Sequence, residues 1–330
     1  MVGIALVQPY QIYVNLRYPN YDSLIEIGYS KERIKSLHER LSEDDFLRLN
    51  TYEFMEDAEL YLEDSLYAQL RDLGYGIQSA TKIRTFSDDT LQIILNLDAL
   101  NEDLLNHDYF VEDRLERYLK YQERYPNKDT TTVLRTVNTN RDWLTYNHIE
   151  PVDLSLGTLT LVNKYYQLSK EYVPSLVESY DGFLFEASAS SSLIELCEEM
   201  ERLGLDFKIS NTYRSYDTQA SIYARYLEKD SQNVVDSFSA RAGHSEHQLG
   251  LALDFRSAKE DITYFENTDA YDWLKENAHI YGFTQRYTEE NSIYTGYQAE
   301  AWHLRYVGKE MALVLKETQL TLEEALLLGY

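Results

Sequence analysis

The stretch Gly243-His244-Ser245-Glu246-His247-Gln248-Leu249-Gly250-Leu251-Ala252-Leu253-Asp254 brings imidazoles and carboxylates into one short segment. Histidine is the commonest zinc ligand, and a carboxylate oxygen suits the same borderline-soft ion. His247 and Asp254 are seven residues apart. On one straight strand an odd separation puts two side chains on opposite faces. They converge only if the chain bends between them, and Gly250 is the residue that permits a bend. Alternation from Leu251 to Phe255 then sets Leu251, Leu253 and Phe255 on one face and Ala252 and Asp254 on the other. The small Ala252 leaves room for a metal. The remaining histidines are His38, His107, His148, His244, His279 and His303. His303 lies in Gln298-Ala299-Glu300-Ala301-Trp302-His303, with a carboxylate three residues before it. A catalytic zinc site uses three protein ligands, an open position for water, and a nearby unligated carboxylate to take the water's proton. Glu300 can fill that last role, because the metal lowers the water's pKa to about 7, within reach of a Glu base. His244 either competes as a ligand or caps a turn.

The joint pattern Ser245-x-His247-x-x-Gly250-x-Ala252-x-Asp254, followed some fifty residues later by Glu300-x-x-His303, resembles the D-alanyl-D-alanine carboxypeptidases of the vancomycin-resistance (VanY) type. Thr212-Tyr213-Arg214-Ser215-Tyr216-Asp217-Thr218-Gln219 is similar to that family's Tyr-Arg-Ser segment. Tyr281-Gly282-Phe283 and Thr295-Gly296-Tyr297 are similar too. The resemblance covers roughly residues 155–310. It implies an α+β zinc peptidase domain of the hedgehog/DD-peptidase-like type with a small antiparallel sheet. It also implies one Zn2+ per chain on His247, Asp254 and His303, with Glu300 as the base. Arg214 would reach the scissile carbonyl or the terminal carboxylate and stabilise the oxyanion. Ser245, Gln219 and Tyr294 would bind substrate. The implied reaction is hydrolysis of the terminal D-alanine of peptidoglycan stem peptides, at an extracytoplasmic or cell-wall location. Two alternatives stay open: L,D-carboxypeptidase action on tetrapeptide stems, and a cell-wall binding module that has lost catalysis. The family segment often has Pro where Ala301 stands, a change that removes no chemical group.

Several elements must position these residues. Thr158-Leu159-Thr160-Leu161-Val162 alternates with period two and predicts a strand. Helices are expected over Ser190 to Leu203, Gln219 to Leu227 and Tyr271 to Tyr281, with Gly204 and Gly282 as stops. Strands are expected over Asp206 to Ser210, Leu251 to Phe255 and Trp302 to Tyr306. The C-terminal half is therefore α+β. The first third holds a two-fold repeat: Leu24-Ile25-Glu26-Ile27-Gly28-Tyr29 is echoed by Leu70-Arg71-Asp72-Leu73-Gly74-Tyr75. Each copy is followed by an amphipathic stretch and then by Ser42-Glu43-Asp44 or Ser87-Asp88-Asp89, an N-cap signature. The expected layout is a helical accessory domain over 1–128, a connecting segment over 129–154 and a carboxypeptidase domain over 155–330.

Composition narrows the partners. A net charge of −25 argues against nucleic acid and anionic lipid, since both demand a surplus of Lys and Arg. The lone Cys197 sits in an apolar helical run and excludes an internal disulfide framework. No apolar run reaches membrane-spanning length, and the short stretch Val2 to Val7 lacks the basic residues of a signal peptide. A monomer is expected. The 30 tyrosines suit half-wet surfaces that meet peptides or sugars.

Overall fold

A computed structural model describes residues 21–49, 60, 64–97, 102–259 and 261–330. The Val2 to Val7 stretch lies outside them. The chain divides into two compact units, Met1–Asp113 and Arg114–Tyr330. No described helix is long and apolar enough to cross a membrane.

The first unit is helical, and its two repeats fold alike. In one, α1 (Tyr21–Glu26), α2 (Lys31–Arg40) and α3 (Glu43–Arg48) follow each other. In the other, α4 (Ser65–Asp72), α5 (Ile77–Ile83) and α6 (Asp88–Leu95) do the same. Each Gly-Tyr pair closes a helix in the same way. Gly28 and Gly74 take φ of 109° and 98°, open to glycine at no steric cost. The Tyr29 N–H then donates to the Leu24 carbonyl at 3.0 Å, and the Tyr75 N–H to that of Leu70 at 3.1 Å. This satisfies carbonyls the helix end would orphan and turns each tyrosine ring inward, where both are buried. Ser30 and Ser87 accept from the Arg33 and Thr90 N–H groups and cap α2 and α6.

The second unit opens with α7 (Leu115–Arg124) and α8 (Thr130–Asn138). Its centre is a four-stranded antiparallel sheet of β1 (Lys208–Asn211), β2 (Ala252–Arg256), β3 (Phe283–Gln285) and β4 (His303–Tyr306), in spatial order β1-β2-β4-β3. On one face lie α9 (Ser190–Arg202) and α11 (Asp269–Asn277), separated in the chain by α10 (Tyr216–Leu227). Leu193, Leu196, Cys197 and Met200 of α9 pack on Leu251, Leu253 and Phe255, the face that alternation assigns to the core. Cys197 is fully buried, and burial pushes its thiol up, so it serves as a small hydrophobe. α12 (Lys309–Thr318) and α13 (Leu322–Leu328) complete the unit. Arg135 of α8 forms an ion pair with Glu324 of α13 at 2.6 Å.

One expected strand is absent. Leu154–Leu159 forms a 3-10 turn in place of a ladder, broken at Gly157 (φ 57°). Strand partners are replaced by one side chain: Arg305 Nη2 donates to the carbonyls of Thr158 and Thr160, each at 2.8 Å. Sequence period alone does not distinguish such a segment, whose carbonyls are met by a side chain, from a strand.

Candidate metal centre and active-site cleft

The seven-residue spacing is resolved by a turn. His247 sits in a 3-10 turn, Glu246–Leu249, that stops at Gly250 with φ 70°. A Cβ there would stand 3.0 Å from Leu176 Cδ2 and 3.3 Å from the Glu186 N. The positive φ favours glycine, and a Cβ would also crowd these neighbours. The chain then enters β2, whose register sets Asp254 directly opposite His303 on β4 and Asn211 on β1. One ligand atom from each of His247, Asp254 and His303 lies within 4.8 Å of the others. His247 Nε2 is 3.2 Å from Asp254 Oδ2, and His303 Nδ1 is 3.0 Å from Asp254 Oδ1. All three residues are buried.

Hydrogen bonds on the far side of each ring set which nitrogen faces inward. His247 Nδ1 lies 2.6 Å from the Thr212 carbonyl, which only accepts, so Nδ1 carries the proton and Nε2 presents a lone pair. His303 Nε2 donates to Glu246 Oε2 at 3.2 Å, leaving Nδ1 turned to Asp254. Two imidazole lone pairs and a carboxylate thus converge on one point, a donor set that fits zinc. Electrostatics agree. Burial disfavours a charged His303, yet the flanking carboxylates of Asp254 and Glu246 outweigh it and raise its pKa to about 9. Asp254 pays for burial too, and the two histidines still hold it well below the usual carboxylate range. The carboxylates around His303 favour positive charge at that ring, while burial pulls His247 below its ordinary value.

Glu246 is the site residue that sequence reasoning passed over. Its fully buried carboxylate meets Arg286 Nε at 2.8 Å, Arg305 Nη1 at 3.1 Å and His303. Burial opposes its charge, but the two guanidiniums hold it ionised, well below its ordinary pKa. Behind it, Arg286 Nη2 donates to Glu323 Oε1 of α13 at 2.6 Å, and Asn163 Nδ2 donates to the same oxygen at 2.9 Å. A readable signal did exist. Arg305 is two residues after His303 on one strand, hence on the ligand's face, and a buried arginine there needs a carboxylate.

Glu300 stands beside the metal group, its Oε2 3.9 Å from His303 Nδ1. Its N–H donates to the Tyr287 carbonyl at 3.0 Å, and Gln285 Nε2 donates to its carbonyl at 2.6 Å, so the turn is pinned at both ends. Burial raises its pKa to about 7, against the pull of His303. Arg214 is tied to the site through backbone and side chain: its N–H donates to the His247 carbonyl at 3.1 Å, and Nη2 lies 3.6 Å from Asp254 Oδ2. Gln219 uses both halves of its amide, accepting from Arg214 Nη1 at 2.7 Å and donating to the Ala240 carbonyl at 2.6 Å. It therefore holds Arg214 in place as well as lining the cleft. Ser245 lines the same cleft, of about 680 Å³, with Ile222, Ile262 and the half-buried Trp302 in its walls.

Two expectations end elsewhere. Tyr294 is not among the residues that line this cleft; its ring lies 4.1 Å from the Arg135 guanidinium. His244 is outside the metal group: its Nδ1 lies 2.7 Å from the Asn163 carbonyl, and burial pushes its pKa down to about 4.

A family model described as VanY, D-alanyl-D-alanine carboxypeptidase, matches residues 183–309, inside the second unit. The putative carboxypeptidase YodJ of Bacillus subtilis (strain 168) is 34% identical over 189 residues, covering 53% of this chain and 69% of the relative. The bifunctional D-Ala-D-Ala dipeptidase and D-Ala-D-Ala carboxypeptidase VanXYC of Enterococcus gallinarum is 31% identical, covering 51% of this chain and 93% of the relative. Among solved structures, the LdcB LD-carboxypeptidase superposes with a TM-score of 0.51 at 33% identity, covering 55% of this chain and 90% of that one. The span matched by the family model carries His247, Asp254, Glu300 and His303, and with these relatives the chain belongs to the VanY family of D-alanyl-D-alanine carboxypeptidases.

Proposed function

We propose that the protein is a zinc-dependent carboxypeptidase that removes the terminal D-alanine from peptidoglycan stem peptides, outside the membrane. The observation that carries this reading is the convergence of His247 Nε2, His303 Nδ1 and Asp254 beside an unligated Glu300. Zinc, when bound there, supplies a Lewis acid that polarises a carbonyl and acidifies water to a pKa of about 7. The chain's own residues do the rest. Glu300, with its pKa near neutrality, takes a proton from the attacking water at its carboxylate and passes it to the leaving amine. Arg214, held by Gln219 and the His247 carbonyl, offers a fixed guanidinium to the substrate's terminal carboxylate or the developing oxyanion. Buried ligand rings locked by Thr212 and Glu246 need no reorganisation during the reaction.

A second reading keeps the chemistry and changes the stem. The 33% identity and shared fold with LdcB, an LD-carboxypeptidase, support trimming of tetrapeptide stems. Incubation with pentapeptide and tetrapeptide stems, followed by mass spectrometry, tells which loses alanine. For the mechanism, Glu300→Gln is expected to lower kcat by about 10²- to 10⁴-fold while the protein still binds one zinc per chain. A variant with wild-type turnover overturns the role of Glu300.

A further inference from the structure

α10 faces the cleft with Thr218, Gln219, Ile222, Arg225 and Tyr226, which recur at the spacing of one helical face. Only Gln219 of this helix is buried, so the face borders the cleft and not the hydrophobic core. Burial falls along it: Gln219 is buried, Ile222 half-buried and Arg225 exposed. The helix climbs out of the site. Its inner end is fastened to Arg214 through Gln219, and its outer end carries Arg225 at the mouth.

Among the described residues, Arg214 and Arg225 are the two arginines that line the cleft, and no lysine lines it. Arg214 is already engaged by Gln219 and Asp254. The Arg225 guanidinium has no hydrogen bond or ion pair among the described residues. In a chain with 56 acidic and 31 basic residues, an unpaired arginine on a cleft wall runs against the trend and marks a place that favours an anion. Spacing says which anion. At 1.5 Å rise per residue, Arg225 lies roughly 9 Å along the helix from Gln219. An extended peptide advances about 3.3 Å per residue, so that span covers about three residues.

Resting on the carboxypeptidase reading above, we infer that Arg225 is a specificity-determining residue, which pairs with a carboxylate carried by the substrate peptide two or three residues before the scissile bond. The apolar groups beside it, Ile222 and Tyr226, thin the water around the pair and strengthen it relative to a fully exposed one. A stem whose acidic residue is amidated loses this contact and binds less well.

The test uses the zinc-loaded protein and two stem peptides that differ only in a free carboxylate or a carboxamide at that residue. Wild type is expected to show a KM about fivefold lower for the carboxylate peptide, with little change in kcat. Arg225→Gln is expected to raise that KM to the amide's value, and Arg225→Lys to recover part of the difference. An unchanged preference in Arg225→Gln overturns the inference. Should wild type release alanine from neither peptide, the carboxypeptidase reading is what fails. Calorimetric binding of both peptides to zinc-loaded Glu300→Gln protein then still decides Arg225, since equal affinities with Arg225 present overturn its role.

Discussion

The two units are held together by different kinds of information. In the first, the helix ends are closed locally: Ser87 caps the helix that begins one residue later, and Gly74 with Tyr75 closes the helix just before it, while links such as Gly76 to Glu102 span no more than about a quarter of the unit. In the second, the groups behind the metal site come from far apart in sequence. Glu246 meets Arg286 and Arg305 across 40 and 59 residues, and Arg286 reaches on to Glu323. Local devices contribute small, separable amounts, whereas a buried charge cluster stands or falls as a set. The chemistry was placed on the second kind of support, where a ligand ring can be held rigidly from behind.

That contrast can be broken by mutation. Glu246→Ala leaves the Arg305 guanidinium buried without its carboxylate and Arg286 with Glu323 alone, and we expect the second unit to lose about 3–5 kcal/mol in urea denaturation. A loss of 1 kcal/mol or less would show that the cluster is no more cooperative than a helix cap. Glu246→Gln keeps the shape but removes the charge that orients His303. Zinc affinity, measured by competition with a chelator, is expected to fall about 10- to 100-fold. An unaltered affinity would separate the charged cluster from the metal site. The smallest effect belongs to the first unit: Ser87→Ala removes the cap on α6 at a cost of about 1 kcal/mol, with zinc binding untouched.

The same contrast explains what could be read in advance. The helix stops at Gly204 and Gly282, the bend at Gly250 and the strand around Asp254 were all legible, since each depends on residues within a few positions. So was the metal group, because histidine, glycine and carboxylate in that order, followed by Glu300 and His303, resemble the family's pattern. Glu246 was hidden inside the metal-ligand motif itself. In a chain with 56 acidic residues one more glutamate carries no signal until its arginines are brought beside it by the sheet. Thr158 to Val162 misled for a related reason: its carbonyls are satisfied by the distant Arg305. Tyr294 carried the right kind of polar tip, but its ring went to Arg135, more than 150 residues earlier in the chain.

The protein has three tryptophans, and their surroundings differ in a useful way. Trp143 lies against Arg117 and Trp273 against Tyr281, whereas Trp302 is half-buried in the cleft wall next to His303. Its indole is therefore a natural optical gauge of the active site. A peptide entering the cleft changes the polarity and quenching around that one fluorophore, and the emission lost in Trp302→Phe isolates its share. Occupancy can be followed by light, without labels and without waiting for a bond to break.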